Sequence, residues 1–196
     1  MVLVMVYRGA LLGLMILWLT GCLSDPGPVS LSRSAEVSYA VVVDTQDSYA
    51  VDVAASGLHE ALAKMGAQRN IRFNDKSNSL LERFRRHRSS RQRLAKLWQE
   101  EGEGGLSVVV ELRPKFFSLM NGRYRWRIDA TFLVGESARV EDVTMKPWST
   151  SVYLDVSQQD YVDAIERISG RLAKALGQEL DIYLGNFESR NLEEGA

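Results

Sequence analysis

From Arg123 to Val134 the chain alternates: Tyr124, Trp126, Ile128, Ala130, Phe132 and Val134 are apolar, and Arg123, Arg125, Arg127, Asp129 and Thr131 between them are polar. Side chains along an extended backbone point to opposite sides in turn, so this pattern is satisfied by a strand with one face on a core and the other in water. Such a strand needs partners and a layer to cover its apolar face. The closing part of the chain supplies one: Tyr161, Ile165, Ile168, Leu172, Leu176 and Leu180 form a single stripe over about five helical turns. Trp126 is expected beneath that helix.

The remaining segments fit around this pair. Val37–Val43 is nearly all apolar, as a strand buried on both faces is. Tyr49 to Met65 carries Val53, Leu58, Leu62 and Met65 near helical spacing, with Gly66 as its stop. Arg69–Phe73 is a short strand, so strand, helix and strand predict a parallel pair. Ser77 to Glu101 is a second helical stretch, with Ser79 and Glu82 at capping-box spacing. Its stripe opens with Leu80, Leu81 and Phe84, breaks at Arg88 and Arg91, and resumes at Leu94, Leu97 and Trp98. Leu106–Leu112 is a third strand, and residues 113–122 an insertion ending in the tight-turn pair Asn121-Gly122. After the alternating strand, a looser segment over 136–146 leads to a last strand with Trp148, Val152, Leu154 and Val156 inward. Ser157 with Asp160 is the expected cap of the final helix. The sum is one α/β domain over residues 37–185, a two-layer mixed sheet with helices mainly on one face, order β-α-β-α-β-β-β-α. Residues 186–196 read as a polar tail.

Ahead of the domain lie Arg8, an apolar run from Gly9 to Leu19, and Leu19-Thr20-Gly21-Cys22, which ends in the only cysteine of the 196-residue chain. A charged start, a short apolar run and small residues make a secretory signal over 1–21; the run falls short of the about 20 residues that span a bilayer. The four residues resemble a bacterial lipobox. The resemblance implies cleavage after Gly21, lipidation of Cys22 by fatty acyl chains (palmitate among the usual ones), and an outer-membrane lipoprotein, since Leu23 follows rather than an aspartate that would resemble an inner-membrane retention signal. Residues 22–36 form a Ser/Pro/Gly tether that reaches at most about 45 Å. The element order, the lipoprotein context, Val37–Val43 and the closing helix Tyr161–Leu180 together resemble the TolB amino-terminal domain superfamily, over residues 37 to about 184. That group includes LpoB-type activators of peptidoglycan synthases and PelC-type exopolysaccharide export lipoproteins. The resemblance implies a partner-binding or ring-forming domain without catalysis, and carries over no functional residue.

Little in the chain suggests chemistry. His59 and His87 lack the neighbours a metal site requires. Neither a nucleophile elbow nor a phosphate loop is present, so no catalytic residue, metal or cofactor is expected. Asp44 and Asp47 follow the first strand, where α/β proteins often bind ligands, a weak signal. The strongest is basic: Arg83, Arg85, Arg86, Arg88 and Arg91 crowd one helix, with Arg93 and Lys96 beyond and Arg69 and Arg72 before. Arginine forks suit phosphate and carboxylate, so these five are a candidate site for an anionic lipid, an acidic glycan or an envelope protein; the alternative is a solvated face. Nucleic acid is not expected in this compartment. Arg123, Arg125 and Arg127 either extend that surface or pair with Glu111. Phe116, Phe117, Leu119 and Met120 either fold back on the core or form a contact patch. The expected function is a non-enzymatic lipoprotein facing the periplasm, a module for envelope or surface-polymer assembly that is compatible with oligomers. The alternative is an LptE-like transport or lipid-handling lipoprotein, which would need a large apolar cavity in place of a filled core.

Cys22→Ala should leave the protein unprocessed or released from the membrane fraction. Unchanged fractionation and gel mobility would contradict lipidation.

Overall fold

A computed structural model describes residues 35–44, 48–86, 89–101, 105–155 and 160–194. In order these form β1 (Ala35–Val43), α1 (Ser48–Arg69), β2 (Ile71–Asp75), α2 (Ser77–Arg86), α3 (Ser90–Glu101), β3 (Leu106–Met120), β4 (Arg123–Glu136), β5 (Arg139–Leu154) and α4 (Tyr161–Glu194). The strands make one mixed sheet in the order β2-β1-β3-β4-β5. β1 runs parallel to both β2 and β3, while β3, β4 and β5 form an antiparallel meander.

The apolar run in β1 is explained by its position. Val37, Tyr39, Val41 and Val43 join Val108, Val110, Leu112, Ile128 and Phe132 under α1 and α4. Ala40 and Val42 face the other way, where Val109 and Leu133 meet Leu80, Phe84, Leu94 and Leu97 of α2 and α3. The two long helices therefore cover one face, as the sequence predicts, and the two short ones add a smaller layer on the other.

Where the helical stripe breaks, the helix itself ends. The stretch expected as one helix over 77–101 is two, and each half delivers its own apolar side chains to the same second core. The expected cap is also displaced. α2 starts at Ser77, whose buried hydroxyl accepts from the Val41 amide at 2.9 Å beyond the end of β2; the Ser79 hydroxyl donates to the Lys76 carbonyl. Nor does Gly66 stop α1, which runs on until Asn70 adopts a left-handed φ of 58°. Gly66 is small for another reason: a Cβ there would sit 2.3 Å from the Ile71 carbonyl oxygen. Asp160 caps α4, its carboxylate accepting from the Tyr161 amide at 2.6 Å. The backbone of α4 continues helical to Glu194, through most of the expected tail. β5 opens at Arg139, so the looser segment expected before it is strand.

The largest departure is residues 113–120, expected as an insertion. They continue β3, paired with β4 throughout. Pro114 argues against a strand interior, but β1 ends its pairing at Leu112, so one side of β3 is already an edge there, and edges tolerate proline. Beyond β1 the three strands run on as a ribbon for about 26 Å. It closes at Asn121 and Gly122, both with positive φ (51° and 72°), as a two-residue hairpin requires. Trp126 lies where the helical cover runs out: it is partly buried, edge-on to Tyr161 at the start of α4, with ring centroids 6.2 Å apart.

The second core should be as essential as the first. Leu97 is fully buried in it, so Leu97→Ala should cost about 2–5 kcal/mol. A loss below about 1 kcal/mol in urea melts would mean that α3 is not packed as described.

Candidate functional site

Several basic residues of the helices are engaged within the fold. Arg83 forms an ion pair with Glu100, bracing α2 against α3. Arg85 turns to Glu82 one turn away, at 2.6 Å. Arg93 donates to Glu111 at 2.7 Å, and Ser90 donates to the other oxygen of that carboxylate at 2.9 Å. Arg69 grips Asp181 of α4 with two hydrogen bonds of 2.9 Å. That clamp holds the Arg69 guanidinium above its usual pKa. Arg86 and Arg91 are exposed and have no ion pair among the described residues. Cys22, Asp47, His87, Arg88, Val156 and Ser157 lie outside the described residues.

The pairing expected for the β4 arginines is also different. Glu111 faces α3, opposite Thr131 in register, and belongs to Arg93. Arg127 turns to Asp129 at 2.7 Å, and Arg123 to Asp155 at 3.0 Å. Lys115 also reaches Asp129, at 2.9 Å, and together with Arg127 it holds that carboxyl below the usual carboxylate range.

A cleft of about 770 Å³ opens at the carboxyl end of β1, beside the middle of β3. Ligands of open α/β sheets sit in such places. Val42, Phe84 and Leu81 line it together with Asp44, Glu111, Arg85, Arg93 and Arg113. Each of its arginines already faces a carboxylate: Arg93 has Glu111, Arg85 has Glu82, and Arg113 approaches Asp44 at 3.7 Å. Its three arginines are thus each engaged within the fold, Arg85 by a carboxylate that does not line the cleft.

The ribbon is different. Phe116, Phe117 and Leu119 are 53%, 60% and 58% exposed, and Met120 closes β3 beside the turn. A bulge between Phe116 and Ser118 shifts the register with β4. Phe116 packs its ring against Trp126 and Tyr124, with centroids 5.6 and 6.0 Å away, on the α4 side. Phe117 lies instead against Arg125, whose guanidinium carbon is 4.6 Å from the ring centroid. Tyr153 of β5 covers the same guanidinium at 5.7 Å. No spacing in the sequence brings Tyr153 to Phe117; the pairing of β4 with β5 does, opposite Arg125.

Among the described residues, no three His, Cys, Asp or Glu side chains gather as metal ligands, and no helix is long and apolar enough to cross a membrane. His59 is exposed and shares a 3.0 Å hydrogen bond with the buried Tyr39 hydroxyl.

No family model matches the sequence, and neither does any curated protein. Among solved structures the chain is similar to a minor lipoprotein from Acinetobacter baumannii (9% identity, 74% of this chain and 90% of that one, TM-score 0.41). It is also similar to a PelC dodecamer from Paraburkholderia phytofirmans (11%, 75% and 91%, TM-score 0.38). A third is lipoprotein GNA1162 from Neisseria meningitidis (10%, 74% and 97%, TM-score 0.40). Likenesses at these scores do not bear on the site.

Glu111→Ala should strand Arg93, whose side chain is only 16% exposed, and cost about 3 kcal/mol in urea unfolding. Combining Glu111→Leu with Arg93→Met should restore most of that. A neutral Glu111→Ala would mean the pair is not buried as described.

Proposed function

We propose that this chain is a non-enzymatic lipoprotein, anchored in a bacterial outer membrane through Cys22, whose domain acts in the periplasm as an interaction module. The ribbon of β3, β4 and β5 is its recognition surface. The observation that carries this reading is the apolar end of the ribbon, where Phe116, Phe117 and Leu119 all stand more than half exposed beside a tight turn. Apolar surface left in water forgoes roughly 25 cal/mol per Å². Exposed apolar side chains gathered at one end of a ribbon mark a contact surface, here with Phe116 and Leu119 on one face and Phe117 on the other.

The place of the anchor supports the same reading. β1 begins at Ala35, and Val37 pairs with Leu106 at the opposite end of β3 from the turn. β3 is 15 residues long, so the ribbon's turn lies about 50 Å along the sheet from where the tether joins the domain. The start of the domain and its apolar end therefore lie at opposite ends of the sheet. A carrier has less support. The core under α1 and α4 is filled by Tyr39, Leu58, Leu62, Phe132 and Leu154, each under 2% exposed, and the cleft beside β1 carries charged walls.

The test is co-purification from membranes after mild crosslinking. The double variant Phe116→Ser, Leu119→Ser should lose partners that the wild type retains, while remaining membrane-bound with an unchanged melting temperature. A second copy of the chain among those adducts would make the partner the protein itself. Full retention of every partner by the double variant would overturn the ribbon as the recognition surface.

A further inference from the structure

On the ribbon face turned away from α4, one cation stands apart. Lys115 and Arg127 share Asp129, Arg123 has Asp155, and Arg113 approaches Asp44. Arg125 has no carboxylate partner among the described residues. Phe117 and Tyr153 hold its guanidinium instead, and its Nε is buried without an acceptor. Ser118, its register partner on β3, buries a hydroxyl that also lacks a partner. Since both atoms are closed to solvent, the part of the guanidinium that can meet a carboxylate bidentately is its terminal Nη edge.

Arg125 and Phe117 border a shallow groove of about 270 Å³, lined also by Arg127 and by Ser149 and Ser151 of β5. We propose that this groove binds the carboxylate-bearing sugar of an acidic glycan. Arg125 would take the carboxylate through its terminal nitrogens, the serine hydroxyls of β5 the sugar hydroxyls, and the exposed rims of Phe117 and Tyr153 the apolar face of the ring. One unpaired guanidinium matches the single charge of a uronate better than a phosphate monoester. A densely anionic lipid surface suits the face less well, because Asp129 and Asp155 stand within it. The inference rests on the ribbon being the recognition surface and names its ligand.

The test uses the full-length protein in neutral detergent micelles, with immobilised polygalacturonate, immobilised dextran and phosphatidylglycerol vesicles as probes. Polygalacturonate should retain the protein and dextran should not. Arg125→Ala should weaken retention at least about tenfold, the scale of a lost charge-assisted fork, with the melting temperature unchanged. Arg125→Lys keeps the charge and loses the fork, so it should recover only a small part. If Arg125→Ala does not fold, Arg125→Lys and the pair Ser149→Ala, Ser151→Ala decide, each expected to weaken retention. Equal retention on dextran, indifference to the substitutions, or tighter binding to the vesicles than to polygalacturonate would overturn the proposal. Should polygalacturonate fail while Phe116→Ser, Leu119→Ser still abolishes co-purification, this inference alone falls; if that double variant is also without effect, the ribbon reading falls with it.

Discussion

The burial of both faces of β1 and of the first half of β3 sets the rest of the molecule. Val41 and Val43 pack under α1 and α4 while Ala40 and Val42 pack under α2 and α3. A strand covered on both sides has no face left for water, so recognition has to come from elsewhere on the sheet. The same sheet continues past the end of β1, where β3, β4 and β5 lose the cover of α2 and α3 and keep that of α4 on one side only as far as Tyr161. The domain is in effect one sheet with a stable end and a displayed end.

The charges follow the same division. Near the packed end each arginine that touches the core does structural work: Arg69 ties α4 to α1, Arg93 neutralises Glu111 inside the second core, and Arg83 joins α2 to α3. Such buried or half-buried pairs add specificity to the packing more than net stability. On the displayed end Arg125 is held by aromatic rings rather than by a carboxylate, which leaves its charge available.

Features governed by local periodicity were legible in the sequence. The alternation of 123–134, the Asn121-Gly122 turn, the parallel pairing of β1 with β2 and the stripe of α4 all follow from nearest-neighbour geometry. What was not legible depends on partners far along the chain. Pro114 and the basic residues around it look like a loop until it is known that β1 ends at Leu112. Which basic residues the fold itself engages depends on Glu100, Glu111 and Asp181, which come from other elements to meet Arg83, Arg93 and Arg69. Gly66 looks like a helix stop, and its real role is to let Ile71 and Phe73 come close. The exposed patch was half legible: Phe116-Phe117 on a strand must place one ring on each face, but the segment first has to be seen as a strand.

The most direct measurement is site-specific photocrosslinking in intact cells, with a photoreactive residue placed at Leu119 on the ribbon or at Ile182 on α4. The two positions are nearly equally exposed, 58% and 55%, so accessibility alone predicts similar labelling. Recognition through the ribbon predicts discrete adducts from position 119 and none from position 182. Adducts from 182 with none from 119 would place the working surface on the helical face and contradict the central claim.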